Sequence, residues 1–356
     1  MLGLQARLGQ GMFPEAELLR GRVRTKLGAL LGTHAENVAL ASGTSHALSH
    51  LALGFPWRSG DGVVLFQGEF PANVTPWREA ARLYGLEVHW LSLAGAERDP
   101  DRVLGALEDR LKQGARLVAV SAVQFQTGLS MPLRDMAELC HRYGAEIAVD
   151  AIQAAGVVPF EMDAWNLDYV AGGAHKWLMG IEGAGYLAVH PDRMRALKPV
   201  TAGWLSHERP IEFLLGGADR LDYERPLVAS ARVFEAGSGS VVSCAALEAG
   251  LDAILELGVN AIFEHVTRYL DQLQLGLEAR GLSHVRASHA QGRSAILSLQ
   301  LPANSELAAV ALALRARGIA CGTPDGFLRF APHYPNSLEE VPDVLAALDA
   351  CLGGVS

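Results

Sequence analysis

Between residues 37 and 189 the chain alternates short β-rich runs, "NVALA", "GVVLF", "RLVAVSA" and "AEIAVD", with stretches of helical period. Strands separated by helices return in the same direction, so the alternation specifies βα units on a largely parallel sheet with helices on its faces. One unit reads in detail. After "RLVAVSA", Pro132 suits a helix first turn, Met136, Leu139, Cys140 and Tyr143 share a face, Gly144 ends the helix, and "AEIAVD" resumes the sheet. Over residues 234–240 the chain turns glycine- and serine-rich, and two long helical patterns follow, at about 241–257 and 261–280. The expected division is a large α/β domain over 1–236, with an N-terminal helix, and a smaller α+β domain over 237–356. The second domain is expected to hold a strand in "SAILSLQL", a helix over 305–317, strands near Ile319 and Phe327, and a last helix entered through a capping box at Ser337 and Glu340.

Composition narrows the function classes. With 356 residues, half of them apolar and 19% charged, the chain is expected to fold as an ordinary globular protein of two domains. Its net charge is -9, and no basic run could neutralise a row of phosphates, so nucleic acid and anionic membrane surfaces are not expected partners. The start, "MLGLQARLGQG", has no basic region followed by an apolar one, and the uncharged stretch 37–57 is studded with polar residues and Pro. Cys140, Cys244, Cys321 and Cys351 are scattered without a CxxC pair, which fits a reducing, cytoplasmic setting and no disulfide or zinc framework.

In "AGGAHKWLMG" one lysine stands among small and apolar residues with no carboxylate in the stretch. Burial lowers a lysine's pKa toward the range where the neutral amine attacks a carbonyl, so Lys176 is a candidate Schiff-base former; the other reading is a stem laid along an apolar wall with its head in water. In open α/β sheets ligands bind beyond the carboxyl ends of the strands. Asp150 ends "AEIAVD", where it must find a cation or donors, such as a pyridinium nitrogen, or else cap a following helix. Gln153, three residues on, could donate to a phenolic oxygen of the same ring. Ser42, Gly43 and Thr44 open a helix after "NVALA" and form an anion seat suited to a phosphate monoester. His46 and His50 have i, i+4 spacing that could bind a metal, with no third ligand in view. "GAGYLA" matches a dinucleotide fingerprint but leads into a strand, so that reading fails on context.

Taken together these segments resemble the class V aminotransferases, fold type I pyridoxal-phosphate (PLP) enzymes that include cysteine desulfurases and kynureninases. The stretch "VDAIQAAGVVPFEMDAWNLDYVAGGAHKW" is similar to the family's Asp-x-x-Gln strand end and its His-Lys pair. "SGT" looks like the phosphate loop, "EFPANVTPW" like the segment whose ring-stacking position Phe70 takes, and "VQFQTG", with Thr127, like the loop ahead of the Asp strand. "FEAGSGS" puts Ser238 where a hydroxyl reaches the partner subunit's phosphate, and "FLRFAPHYPNSLEEV" puts Arg329 where the substrate carboxylate is held. The resemblance implies PLP as cofactor, Lys176 as its covalent anchor, Asp150 as partner of the ring nitrogen, His175 as a contact to phosphate or a cofactor oxygen, and a homodimer with the site at the subunit interface.

The chain also departs from the desulfurases. Gly173 stands where they commonly have a phosphate-binding Ser, most of the segment ahead of the first large-domain helix is missing, and the loop carrying the nucleophilic Cys has no room before Arg329. The expected function is therefore aminotransfer on a small amino acid. The alternatives are a lyase, desulfurase-like or epimerase reaction on the same scaffold and, from another class, a catalytically silent regulatory module.

Overall fold

The computed structural model describes residues 2–353. Seven strands form the main sheet: β1 (Val38–Ala41), β2 (Gly62–Phe66), β3 (Glu87–Leu91), β4 (Ala115–Ser121), β5 (Glu146–Asp150), β6 (Tyr169–Gly173) and β7 (Gly185–Val189). Their order is β1-β7-β6-β5-β4-β2-β3. Only β7 runs against its neighbours, β1 and β6; the other four pairings are parallel. The reversal arises because β6 and β7 are joined by a short loop without a crossover helix, and that loop carries Lys176.

Period two in the strands divides the core between the two faces. Val64, Phe66, Val118, Val120, Ile147 and Val149 face one cluster, which holds Leu19, Val23 and Leu27 of the N-terminal helix Phe13–Leu31 and runs on into the C-terminal part. Val63, Leu65, Leu117, Ala119, Ala148 and Ala171 face the other, against Leu48, Leu51, Phe55 and Trp77. The helix Phe13–Leu31 carries Pro14 in its first turn, ends at Gly32 in the left-handed region, and pairs with helix Val241–Leu257 through Arg22 and Lys26 on Glu248 at 2.6 and 3.0 Å.

Beyond helix Val259–Glu278 a second, antiparallel sheet has the order β10-β9-β8, from β8 (His284–Val285), β9 (Leu297–Gln300) and β10 (Phe327–Phe330). The expected α/β architecture with a smaller α+β part is present. Ser337 and Glu340 close the capping box, entering a short 3-10 turn before helix Val341–Gly353.

Three local expectations need correction. The helix after β4 spans Leu133–Arg142, so Pro132 precedes it at the cap and is not in its first turn. The stretch at Ile319 is not a strand: it leaves helix Leu307–Ala316 as coil and touches the sheet through one isolated bridge, Gly322 with Arg329. The segment after Asp150 is a series of turns, so no helix stands there for its carboxylate to cap.

Candidate active site

The parallel strands deliver their carboxyl ends to one edge of the sheet. There a cavity of about 460 Å³ is lined by Ser42, Gly43 and Thr44 after β1, Phe70 after β2, Asp150 at the end of β5, and His175 and Lys176 after β6. Register ties the floor together, with Asp150 opposite Ser121 of β4 and Ala171 of β6. Two glycines allow the phosphate-loop side to close in: a Cβ at Gly185 would lie 2.7 Å from Gly43 Cα, and one at Gly173 would lie 3.0 Å from Thr44 Oγ1. A side chain at Gly173 would therefore press on the Thr44 hydroxyl.

Thr44 opens the eleven-residue helix Thr44–Gly54, is 5% exposed, and its Oγ1 is buried without a partner. A hydroxyl in that state beside free backbone N–H groups suits an anion. Asp150 is fully buried; its Oδ1 accepts Ile152 N–H at 3.0 Å, and it has no ion pair among the described residues. Burial pushes its carboxyl up to about 7 against the Ile152 hydrogen bond; the Glu69 charge adds to the rise and Lys176 opposes it.

Burial lowers the Lys176 ammonium, the Asp150 charge counters this, and the Arg329 charge adds to the lowering. Lys176 Nζ lies 5.6 Å from the centroid of the Phe70 ring, which is 46% exposed and meets Phe125 edge-on at 5.3 Å. Arg329, in β10, is anchored by Nη1–H donating to Phe125 O at 2.7 Å, while its Nε is buried without a partner.

Gln153, Thr127, Ser238 and Arg329 stand outside the cavity wall. Gln153 is buried behind the lysine loop, its Oε1 accepting Trp177 Nε1–H at 2.9 Å. Thr127 Oγ1 accepts Leu129 N–H at 3.3 Å within its own loop. Ser238 is exposed and lines a different cavity, with Met12, Phe13 and Arg20.

The sequence reading gave no role to Glu69 or His333. Glu69 is buried and accepts Ser121 N–H at 2.6 Å, the Ser121 hydroxyl and Gln124 Nε2–H at 3.1 Å, which locks the Phe70 loop to the end of β4. His333 Nε2–H donates to Trp177 O at 2.9 Å, holding the lysine loop from the C-terminal side. Both lie within the family-like segments, and the signal for Glu69 was a charge three residues beyond an apolar strand.

The family model for "Aminotransferase class-V" matches residues 14–326. The chain belongs to the class V aminotransferases. It is 27% identical over 321 residues to the uncharacterized aminotransferase YcbU of Bacillus subtilis (strain 168), covering 89% of this chain and 80% of that one. It is 24% identical over 345 residues to an isopenicillin N epimerase of Streptomyces clavuligerus, covering 95% and 86%. A probable cysteine desulfurase of Chlamydia muridarum is 29% identical over 255 residues, 70% of this chain and 60% of that protein.

Among solved structures, the cystine C–S lyase C-DES in complex with cysteine persulfide superposes with a TM-score of 0.88 at 22% identity, covering 98% of this chain and 91% of that one. A mutant of that lyase, with glycine covalently linked to the PLP cofactor, gives 0.87 at 21% identity and covers 98% and 90%. At such identities the likeness establishes the fold. Pyridoxal 5'-phosphate is the cofactor of this family, and groups of the cavity fit it: a partnerless hydroxyl at a helix N-terminus for the phosphate, a buried carboxylate without an ion pair for the ring nitrogen, and a desolvated amine on the same wall.

Proposed function

We propose that the chain is a PLP-dependent aminotransferase acting on a small amino acid, with Lys176 as the covalent anchor of the cofactor. The observation that carries this reading is a single cavity wall holding Thr44, Asp150 and Lys176 together. When bound, the cofactor supplies a ring that stabilises negative charge developed at the substrate's α-carbon. Ser42, Gly43 and Thr44 hold its phosphate, His175 contacts phosphate or a ring oxygen, Asp150 keeps the ring nitrogen protonated, and Phe70 covers the ring's face. Gln153 and Thr127 support the ring from behind and beside it. Lys176 Nζ, its pKa lowered by burial, takes the α-proton of a substrate whose carboxylate Arg329 grips. Ser238 completes the phosphate seat of a partner subunit, which makes the working unit a homodimer.

The thiols support aminotransfer over persulfide chemistry, which needs a mobile thiolate. Cys140, Cys244 and Cys351 are buried; burial raises the first two, and pushes half-buried Cys321 up to about 12. A second reading, epimerisation or C–S lysis at the same lysine, draws on the named relatives. The fate of the α-proton separates amino transfer from epimerisation, since Lys176 returns it to the α-carbon in epimerisation and not in amino transfer; loss of the sulfur leaving group marks C–S lysis.

The test is an absorption spectrum of the PLP-loaded protein, borohydride fixation followed by peptide mapping, and single-turnover reactions with a panel of amino acids. The expected results are label on the Lys176 peptide, absent in Lys176→Ala, and release of a 2-oxo acid. Inverted amino acid, or sulfide released with or without an oxo acid, would hand the assignment to the second reading.

A further inference from the structure

Helix Thr44–Gly54 carries His46 and His50 one turn apart, which sets both rings on one face. Their Nε2 atoms are 2.8 Å apart and the ring planes cross at 86°. His50 is buried, its Nδ1 bonds the Thr201 hydroxyl, and Phe234 meets it edge-on at 6.2 Å. His46 is exposed and lines the same cavity wall as Thr44 and Lys176, with its Nδ1 accepting Ser42 N–H at 3.5 Å.

One arrangement of protons satisfies these contacts with both rings neutral. The Ser42 N–H makes His46 Nδ1 an acceptor, so the His46 proton sits on Nε2 and is donated to His50 Nε2. The His50 proton then sits on Nδ1 and is donated to Thr201. The groups bonded to or stacked on the two rings are Ser42 N–H, the Thr201 hydroxyl and the Phe234 edge; Asp150, His175, Lys176 and Glu182 line the same cavity as His46, and no carboxylate is hydrogen-bonded to either ring among the described residues. Burial and the His46 charge push His50 down to about 4, and burial lowers His46.

We infer that His46 is a further phosphate-binding residue, becoming a cation by taking a proton at Nδ1 when a phosphate dianion arrives, and that His50 and Thr201 are positioning residues that hold it in the tautomer able to do so. The inference rests on the proposed phosphate seat at Ser42–Thr44, which the buried, partnerless Thr44 hydroxyl marks independently of the helix terminus. The proton comes from solvent and no covalent bond between heavy atoms is made or broken. His46 Nδ1 changes from acceptor of the Ser42 N–H to donor toward a phosphate oxygen, and the Ser42 N–H is freed for the same anion. Because Nε2 keeps its proton, the link through His50 to Thr201 is undisturbed. The added charge offsets the missing hydroxyl at Gly173, where a Cβ would already lie 3.0 Å from Thr44 Oγ1.

The experiment uses the cofactor-free full chain labelled with ¹⁵N-histidine and titrated with inorganic phosphate at neutral pH. Protons are counted by calorimetry in two buffers of different ionisation enthalpy. Before phosphate, His46 should be the Nε2–H tautomer and His50 the Nδ1–H tautomer. At saturation His46 should give imidazolium shifts, and net proton uptake should exceed that of His46→Gln by about one proton per chain, the difference cancelling the protons that monoanionic phosphate releases on binding as the dianion. His46→Gln should bind both phosphate and PLP about tenfold more weakly and without that uptake. Thr201→Val, which removes the acceptor of His50 Nδ1–H while leaving the cavity wall intact, should mix the tautomers of both rings and weaken phosphate binding. A His46 that stays neutral with phosphate bound, or equal proton uptake in His46→Gln, overturns the inference. In that case an absorption change on PLP binding at Lys176 leaves the parent reading standing, whereas wild-type chain that takes up no PLP overturns both.

Discussion

Asp150 is a carboxyl buried at a strand end with one N–H to accept and no ion pair among the described residues, so once ionised it burdens the cofactor-free fold with a penalty that a bound cationic group would remove. Its folded pKa of about 7 lies above the ordinary 3.8, so the folded state holds more protons than the unfolded one between those values. Stability of the cofactor-free chain therefore falls as pH rises through that window and stays reduced above it. Asp150→Asn keeps an oxygen for Ile152 N–H but cannot ionise. The cofactor-free variant should be more stable than wild type above pH of about 7, by up to about 4 kcal/mol, and equal to it near pH of about 4. Urea unfolding across that range checks this, and a pH-independent difference would refute it. Loaded with PLP, the same variant should lose most turnover, because a neutral amide cannot hold a ring nitrogen protonated. At Arg329 the guanidinium spends Nη1 on Phe125 O and leaves a buried Nε without a partner. Arg329→Lys replaces a planar fork by a point charge, so KM should rise about tenfold or more for every amino acid accepted, with a smaller change in kcat. Unchanged KM would move carboxylate binding to another cation, with Arg232 the next candidate.

Helix Val241–Leu257 acts on the site through its closeness to the lysine loop. A Cβ at Gly250 would lie 2.1 Å from Leu178 O, and one at Gly180 would lie 3.4 Å from Leu247 Cα. The helix can lie against residues 174–180 only because these positions are bare. Gly250→Ala must push the loop or the helix away, costing about 1–3 kcal/mol. It should also displace Lys176 enough to change the absorption band of bound PLP; thermal unfolding and the spectrum together check this, and a shift in stability alone would show that the loop does not follow the helix. Elements of this kind were legible where the apolar pattern was strong: β4 and β5 are buried along nearly their whole length and stood out in the chain. The edge strand β3, "EVHWL", is half-exposed and did not. Ile319 misled because its apolar side chain packs on the core from coil just as it would from a strand. The motifs brought Ser42, Gly43, Thr44, Phe70, Asp150, His175 and Lys176 to one wall, since each terminates a strand or begins the next element at the same sheet edge. Glu69 and His333 escaped because their partners, Ser121 and Trp177, are remote in sequence, and no local spacing marks such pairs.

For the whole molecule the question is which chain supplies Ser238. It is exposed, beside Arg20 and Phe13 in a cavity separate from the one holding Lys176. Nearby in sequence or on the N-terminal helix, Leu18, Leu214, Leu215, Leu221 and Tyr223 are large apolar side chains left exposed, Tyr223 at 79%. Exposed large apolar side chains are the kind a partner covers where they form one patch. If that partner is a second copy and Ser238 reaches across to its phosphate seat, the two halves of one site lie on different chains. Lys176→Ala removes the anchor from its own site but leaves a normal Ser238 to lend. Ser238→Glu places a negative charge against the neighbour's phosphate and leaves a normal Lys176 to be served. Each variant alone should be inactive, the first by losing its amine and the second by repelling the cofactor. Co-expressed with different affinity tags and purified through both, the mixed dimer should carry one intact site, built from Lys176 of the Ser238→Glu chain and Ser238 of the Lys176→Ala chain. The PLP absorption band and amino-acid half-reaction should then return in the doubly tagged fraction. If Ser238 serves its own chain, or no second chain completes the site, mixing restores nothing, because neither chain then holds both residues.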